Sequence, residues 1–260
     1  MKSKAEIDQE KQLAAKAVLR WIRPGMRIGL GSGSTSEWFA RHLADALRSG
    51  TLSNVVAVPT SEKVAALARS LGVPLIDLEE GVVLDLAVDG ADEIGPGLEL
   101  IKGGGGALLR EKVVAAAARR SLIFADSTKL VAKLGTFPLP LEVAPFALGF
   151  VKTQVAALGG RGQVRANRET GAPVKTDQGL LLLDCHFGDP AHPTIENARD
   201  LQNALAHIPG IAEHGLFLDT TSAAIVADGE KLTVHMHGGV LALEAVDLEK
   251  LPAPRNLRRG

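Results

Sequence analysis

Aromatic residues and cysteine are both scarce in this sequence. Tyrosine is absent, and aromatic residues make up 3% of the 260 residues, so Ala, Val and Leu must supply most of the core. The single cysteine excludes a disulfide within the chain, which is typical of a reducing compartment. Cys185 lies in the apolar run 181–187, where we expect a buried thiol on a strand and not a nucleophile.

Long apolar runs and an excess of charge are also missing. No run approaches the roughly 18 apolar residues of a membrane helix, and residues 1–21 lack the apolar stretch of a signal peptide. We therefore expect a soluble, cytoplasmic protein with no membrane partner. The formal net charge is −1, without the basic excess of nucleic-acid-binding proteins, so no nucleic acid partner is expected. The basic tail of Arg255, Arg258 and Arg259 is interpreted as a solvated chain end.

Several metal-binding and catalytic signatures are absent. The chain has no H-E-x-x-H and no C-x-x-C, and its histidines do not cluster, although His235 and His237 alternate along one predicted strand. We therefore predict no metal site and no cofactor. G-x-S-x-G is missing, which argues against an α/β-hydrolase nucleophile, and without a Gly-Lys pair there is no P-loop.

The first half of the chain alternates apolar strands with helices, which predicts a parallel sheet covered on both faces. The predicted strands are 26–30, 54–58, 73–77, 82–88 and 121–125. Two further strands after Asp219 are expected to rejoin this sheet. Together they predict a Rossmann-like α/β domain over 1–134 plus 219–260.

The second half changes rhythm to β-α-β-β-α-β, the split-βαβ (ferredoxin-like) arrangement. Its predicted elements are strand 140–143, helix 145–158, strands 162–168 and 180–187, helix 194–206 and strand 211–218. We assign 135–218 to a smaller α+β domain.

A glycine- and serine-rich segment, 29–36 (GLGSGSTS), joins the first strand to a helix. Exposed backbone N–H groups and the positive end of the helix both favour an anion, so the segment predicts a phosphate cradle. A capping box of Ser34 and Glu37 behind a tight turn is the structural alternative, and the two are compatible. The candidate phosphate-binding residues are Ser32, Gly33, Ser34 and Thr35.

A dinucleotide site is a weaker interpretation of this segment. Ser34 occupies the third glycine position of G-x-G-x-x-G. The next strand ends in 59–61 (Pro-Thr-Ser), where such a site needs an acid for the ribose hydroxyl.

Three further segments follow predicted strands. In 89–93 (DGADE), Asp89 points toward the carboxyl edge of the sheet and is interpreted as functional, whereas Glu93 is interpreted as structural. Four consecutive glycines in 102–112 (KGGGGALLREK) indicate close ligand approach or unusual dihedrals. Taken alone, Glu111 could equally complement the helix dipole and Lys102 be a surface charge. For 125–129 (ADSTK), a helix cap beside a solvated lysine and a ligand contact are equally good interpretations.

These four segments, in this order, resemble ribose-5-phosphate isomerase of the A type over nearly the whole chain. VDGADE followed by IKGGGGALLREK is the most specific part of the resemblance. The resemblance implies a Rossmann-like domain with a smaller α+β domain, assembly as a homodimer or homotetramer, and no metal. Two differences are mild: Ser32 stands where many members have Thr, and Gly106 where some have Ala.

The resemblance also implies residue roles for an aldose–ketose isomerisation. Glu111 becomes the base that moves a proton between two carbons through an enediolate. Lys102 and the loop amides become its electrostatic stabilisers, Asp89 the candidate for ring opening, and Asp92 the group that orients hydroxyls. The implied ligand contacts are Ser32, Gly33, Ser34, Thr35, Asp89, Gly90, Ala91, Asp92, Lys102, Gly103, Gly104, Gly105 and Lys129.

Two functions from other classes are the alternatives. A non-catalytic sugar-phosphate sensor needs the phosphate cradle but not Glu111 with Lys102. It usually carries a DNA-binding module, for which the residues before the first strand leave no room. A CoA transferase uses glutamate as a nucleophile, but the sequence shows no support for a CoA site.

Overall fold

The computed structural model describes residues 2–247, 250, 251 and 253. The basic tail residues Arg255, Arg258 and Arg259 lie outside the described residues. Within the described part of the chain, no helix has both the length and the apolar character needed to cross a membrane.

Helices and strands alternate along the first half of the chain, and strands predominate in the second. The α-helices are α1 Lys4–Val18, α2 Ser34–Arg48, α3 Glu62–Leu71, α4 Leu108–Ala116, α5 Leu148–Ala157 and α6 Ala198–Ala206. The strands are β1 Arg27–Leu30, β2 Val56–Pro59, β3 Leu86–Asp89, β4 Glu93–Ile94, β5 Leu100–Ile101, β6 Ser121–Asp126, β7 Leu139–Val143, β8 Arg161–Val164, β9 Leu181–His186, β10 Ile211–His214, β11 Leu216–Phe217, β12 Ala223–Asp228, β13 Lys231–Met236 and β14 Gly239–Ala242.

The chain divides into two compact units. Unit 1 comprises Met1–Ala91, Arg110–Leu130 and Asp219–Gly260, and unit 2 comprises Asp92–Leu109 and Val131–Leu218. The sequence-based boundaries differ from these units over 92–109 and 131–134, and as domain boundaries they stay a prediction.

Unit 1 contains a seven-stranded sheet in the order β14-β13-β12-β6-β3-β1-β2. The five strands from β12 to β2 run parallel, and β13 and β14 extend the sheet antiparallel from β12. The predicted parallel sheet and the return of the chain to it after Asp219 are therefore confirmed.

Side chains of the central strands alternate between two apolar layers, as a period of two requires. Leu86 and Val88 of β3 pack in one layer with residues from α1, α2 and α3. Ala87 faces the other layer, together with Val114 of α4. Both faces of the sheet are thus covered by helices, which is why these strands are almost wholly apolar.

Unit 2 contains a four-stranded antiparallel sheet in the order β10-β7-β9-β8, with α5 and α6 in the connections. Numbered within this segment the order is 4-1-3-2, which is the split-βαβ arrangement predicted. A second, three-stranded sheet orders β11-β5-β4. Cys185 on β9 is buried, as predicted, among the apolar side chains that form the core of this unit.

Two strand predictions are wrong. The segment 73–77 makes only an isolated parallel bridge from Leu75 to Ala57, because Pro74 has no N–H to donate to a ladder. The segment 211–218 divides into β10 and β11, which belong to different sheets. The break falls at Gly215, where an added Cβ would lie 2.4 Å from the carbonyl oxygen of Lys102, so the chain changes sheets where only glycine fits.

Candidate active site

In unit 1, the chain reverses its direction of travel across the sheet at β1. From β1 it proceeds through α2 to β2 on one side, and it then places β3 on the other side of β1. In open α/β sheets, ligands bind beyond the carboxyl ends of the strands at such a switch point. The loops that leave β1 and β3 are the predicted phosphate cradle and the segment that begins with Asp89.

The loop after β1 leads directly into α2 and leaves the helix without a side-chain cap. The N-cap residue is Gly33, with φ +95°. Because glycine has no side chain, no side-chain group caps the first turn of α2. The capping box of Ser34 and Glu37 is therefore wrong: the helix begins one residue too early for it. Glu37 instead pairs with Lys63, at 2.7 Å. The first-turn N–H groups stay available to an anion.

Hydroxyl groups surround this loop. Ser32 Oγ lies 2.7 Å from both Thr60 Oγ1 and Ser61 Oγ, which follow β2. Lys11 of α1 donates to Ser34 Oγ at 3.2 Å, which brings a positive charge to the start of α2. Thr35 lies against Gly90, where an added Cβ would be 3.7 Å from Thr35 Cβ. Donors and one cation converge here, which is the environment that a phosphate group prefers.

Asp89, the last residue of β3, is packed against the loop after β1. A Cβ on Gly31 would lie 2.0 Å from Asp89 Oδ1, so glycine alone permits this approach. Asp89 Oδ1 accepts hydrogen bonds from Gly90 N–H at 2.8 Å and from Ser36 Oγ at 3.2 Å. Asp89 is 7% exposed, and it is held by its pairing with Ile123 of β6, by the loop after β1 and by Ser36 of α2.

Glu111 lies in the first turn of α4 and is 4% exposed. Its helix is held against the sheet by Val114, since a Cβ on Gly29 of β1 would lie 2.3 Å from Val114 Cγ1. The preceding residue, Arg110, donates to Glu62 Oε1 at 2.7 Å and to Pro59 O at 3.3 Å. Contacts of Val114 and of Arg110 therefore fix the helix on both sides of Glu111. A buried carboxylate held in this way is a suitable general base.

Lys129 closes the turn that follows β6, the neighbour of β3 in the sheet. This turn is anchored by Glu10 of α1, which is 2% exposed and accepts hydrogen bonds from Ser127 N–H at 3.2 Å and Gly229 N–H at 2.7 Å. Burial acts to raise the pKa of Glu10, but these hydrogen bonds and the Lys2 ammonium hold it below its ordinary value. The turn carrying Lys129 is therefore tied to the N-terminal helix.

In unit 2, the glycine loop 103–106 is held by Asp92. Asp92 Oδ2 accepts from Gly104 N–H at 2.7 Å, and a Cβ on Gly104 would lie 2.4 Å from Asp92 Oδ1. Lys102, at the start of the loop, is 4% exposed, and its Nζ lies 5.4 Å from the ring centre of Phe217. The cation is thus kept in a fixed, largely dehydrated place beside an aromatic face.

Two buried carboxylates of unit 2 have structural contacts. Glu93 accepts from Gly135 N–H at 2.7 Å and Phe137 N–H at 2.6 Å, which agrees with its structural interpretation, although it is buried and not part of a solvated turn. Glu142 of β7 accepts from Leu109 N–H at 3.0 Å. Burial raises the pKa of Glu142 above its ordinary value.

The described residues contain no group of three or more His, Cys, Asp or Glu arranged to hold a metal ion. What they do contain, in unit 1, is an uncapped helix start with hydroxyl groups and a lysine, followed by two buried carboxylates. Unit 2, taken by itself, contains a buried lysine and a glycine loop with constrained amides. The groups of unit 1 suit the binding of an anionic ester and the transfer of protons, and those of unit 2 suit the stabilisation of negative charge.

Comparison with known proteins shows the family of the chain. The family model described as ribose 5-phosphate isomerase A (phosphoriboisomerase A) matches residues 56–231. The chain belongs to the ribose 5-phosphate isomerase A family.

Individual members of the ribose 5-phosphate isomerase A family match along most of their length. The ribose-5-phosphate isomerase A of Thermosynechococcus vestitus is 44% identical over 223 residues, covering 85% of this chain and 92% of the relative. That of Roseiflexus castenholzii is 46% identical over 238 residues, covering 91% and 96%. A solved D-ribose-5-phosphate isomerase in complex with phospho-erythronic acid has a TM-score of 0.84 at 35% identity, covering 88% of this chain and 99% of that one.

Within each unit, the structure brings together several of the predicted site residues. In unit 1, Thr35 lies against Gly90, and Asp89 against the loop that contains Ser32 and Gly33. In unit 2, Asp92 contacts the glycine loop that Lys102 precedes. The roles of all these residues as ligand contacts stay predictions.

Two polar neighbours of the site were missed in the sequence. Lys11 is one of several charged residues on α1, and no local motif distinguishes it, because its contact with Ser34 comes from helix packing. Ser36 is the last residue of the segment 29–36 (GLGSGSTS), next to the predicted phosphate-binding residues. It is fully buried beside Asp89, and it precedes the apolar residues Phe39, Ala40 and Leu43 by three, four and seven positions, which places it on the inner face of α2.

Proposed function

We propose that Glu111 is the only proton carrier between the two carbons when this member of the ribose 5-phosphate isomerase A family interconverts ribose 5-phosphate and ribulose 5-phosphate. The observation that carries this proposal is a carboxylate 4% exposed, on a helix anchored by Val114 and Arg110, within the family motif.

The reaction moves hydrogen without a net change in composition. The Glu111 carboxylate removes the proton from C2 of the open-chain aldose, and the electron pair of that bond forms the C1–C2 double bond of an enediolate. The carboxylic acid then returns the proton to C1. In the same step the proton of the C2 hydroxyl passes to the C1 oxygen, so that the C2 oxygen becomes the carbonyl and the C1 oxygen the hydroxyl. One group performing both transfers is ordinary general acid–base catalysis.

The negative charge that develops on the oxygens needs a counter-charge that is already in place. Lys102 supplies it, because its ammonium is buried and is held beside the ring of Phe217. Amides of the glycine loop supply neutral donors. A preorganised cation in a dehydrated site stabilises the enediolate more than the neutral substrate, which lowers the barrier.

The phosphate group binds at the start of α2, on the N–H groups of the first turn and the hydroxyls of Ser32, Ser34 and Thr35. Lys11 adds a positive charge at Ser34, and Lys129 adds a second contact. Asp89 assists opening of the furanose ring, since its buried carboxylate is held by Ser36 at 3.2 Å. Asp92 and the adjacent Gly90 and Ala91 orient the sugar hydroxyls.

The remaining parts of the proposal concern the whole molecule. The enzyme acts without a metal or organic cofactor, as a cytoplasmic homodimer or homotetramer. Sedimentation at several protein concentrations measures the assembly. Activity in the presence of EDTA tests the first point, and a loss reversed by added metal would contradict it.

Replacement of Glu111 by Gln tests the proposed base. Gln keeps the size and the hydrogen-bonding capacity of the side chain but cannot accept the proton. We expect turnover to fall by about two to four orders of magnitude. Binding of phospho-erythronic acid and the melting temperature should stay close to those of the wild type. Turnover within a few-fold of the wild type would refute the role of Glu111.

A further inference from the structure

Arg165, which follows β8 in unit 2, is held rigidly although it belongs to none of the motifs discussed above. Its backbone N–H donates to Leu182 O at 2.8 Å, and its carbonyl accepts from Val174 N–H at 2.8 Å. Its guanidinium pairs with Asp184 of β9, Nε to Oδ2 at 2.8 Å and Nη2 to Oδ1 at 2.5 Å. This two-pronged pairing determines the plane and direction of the guanidinium.

The remaining nitrogen of the guanidinium points at the glycine loop. Arg165 Nη1 donates to Gly103 O at 3.1 Å and to Gly104 O at 2.9 Å. In a trans peptide the N–H points away from the C=O of the preceding residue. Holding these two carbonyls therefore turns the N–H groups of Gly104 and Gly105 to the opposite side.

The N–H groups of Gly104 and Gly105 have different surroundings. Gly104 N–H donates to Asp92 Oδ2 at 2.7 Å, so Arg165 and Asp92 hold the same peptide from its two sides. Gly105 is exposed, and a Cβ added to it would meet nothing within 4 Å, so the loop is open at Gly105. The N–H of Gly105 therefore has a defined direction on an accessible part of the loop.

Without such a hold, four consecutive glycines have more conformations than any other four residues. An amide acts as an electrostatic catalyst only when it is oriented before charge develops. A lysine could supply the charge at this position, but not the planar fork that engages Asp184 and both carbonyls together.

We propose that Arg165, oriented by Asp184, is a positioning residue that sets the glycine loop so that the Gly105 amide serves the negatively charged reaction intermediate. The inference rests on the proposed function, since it assumes that the loop amides face the enediolate. Arg165 itself contacts only protein groups: its effect reaches the reaction through the direction of two peptide planes.

The test compares Arg165→Met with Arg161→Met. Arg161 is a matched control, because it lies on β8, the strand that Arg165 follows, and also donates to a glycine carbonyl, Gly188 O at 3.0 Å, outside the loop. The measurements are kcat and KM for ribose 5-phosphate, and the affinity for phospho-erythronic acid by titration calorimetry. The carboxylate of this acid carries negative charge on two oxygens, as the enediolate does, so its affinity reports on the oriented amide.

We expect Arg165→Met to lower kcat by about 100-fold and to lower the affinity for phospho-erythronic acid by a similar factor. A loss of this size is typical when one oriented donor is removed. KM should change by less than about three-fold, since the neutral substrate gains little from the amide. Arg165→Lys should not restore kcat, and Asp184→Asn should lower it to a smaller extent. Arg161→Met should behave like the wild type.

The proposal is overturned if Arg165→Met matches Arg161→Met in kcat and in affinity for the acid, or if only KM changes. If Arg165→Met does not fold, the same comparison with Arg165→Lys decides the question. Failure of the proposed function has a different signature, namely near-normal turnover in Glu111→Gln. An inactive Glu111→Gln with a fully active Arg165→Met rejects this inference alone.

Discussion

Replacement of Gly31 by Ala should damage stability and turnover together, because this glycine separates β1 from Asp89. An added Cβ would lie 2.0 Å from Asp89 Oδ1, 2.2 Å from its Cγ and 2.6 Å from its Cα. Rotation of the Asp89 side chain can relieve the first two overlaps. The third involves backbone of a central strand, which has to move.

The size of the effect follows from that third distance. Ordinary contact begins near 3.4 Å, so the ends of β1 and β3 must separate by about 0.8 Å. Overpacking of this kind typically costs about 1–3 kcal/mol, and the backbone overlap favours the upper value. For a chain of this size that corresponds to a melting temperature lower by roughly 6–12 °C. If Asp89 has the proposed role in ring opening, a displacement of nearly 1 Å at its carboxylate should also lower kcat/KM by about 100-fold.

Differential scanning calorimetry and steady-state kinetics measure the two effects. Gly238→Ala is the matched control, because it lies in the same unit and its added Cβ meets nothing within 4 Å. It should leave both quantities within experimental error of the wild type. A Gly31→Ala protein that melts and turns over like Gly238→Ala would refute the packing argument.

Two further predictions concern buried titratable groups of unit 2. Burial raises the pKa of Glu142, so its contribution to stability is fully present below the ordinary pKa of a glutamate and is lost as pH rises through the raised value. Glu142→Gln should therefore melt like the wild type near pH 4 and at a higher temperature near pH 8; parallel melting curves would contradict this. Burial also raises the pKa of the Cys185 thiol to about 12, so iodoacetamide should label this thiol only after the protein is unfolded in denaturant. Labelling of the native protein would contradict the burial of Cys185.

Local patterns sufficed where the structure depends on neighbours along the chain. Gly72 ends α3 in the left-handed conformation, with φ +77°, as a glycine after an apolar helix predicts. The apolar strands ending in Asp89 and Asp126 predicted a parallel sheet, because strands buried on both faces leave little room for polar residues. The segments that carry the family resemblance were recognised from the sequence for the same reason: each is short and continuous.

Patterns failed where a distant part of the chain competes for the same backbone groups. The segment 73–77 has strand composition, but Pro74 limits it to one bridge with Ala57. The strand predicted over 211–218 divides at Gly215, because its two halves find partners in different sheets.

The sequence by itself determined the family, the order of the elements and the identity of the candidate base, since motif letters and apolar periodicity are local properties. Only the tertiary structure decided which polar groups hold the candidate site residues in place. The contact of Lys11 with Ser34, the approach of Asp89 to Gly31 and the grip of Arg165 on Gly103 join residues far apart in the chain. The type of side chain determines whether a group can donate or accept a hydrogen bond, whereas tertiary packing determines which partner it meets.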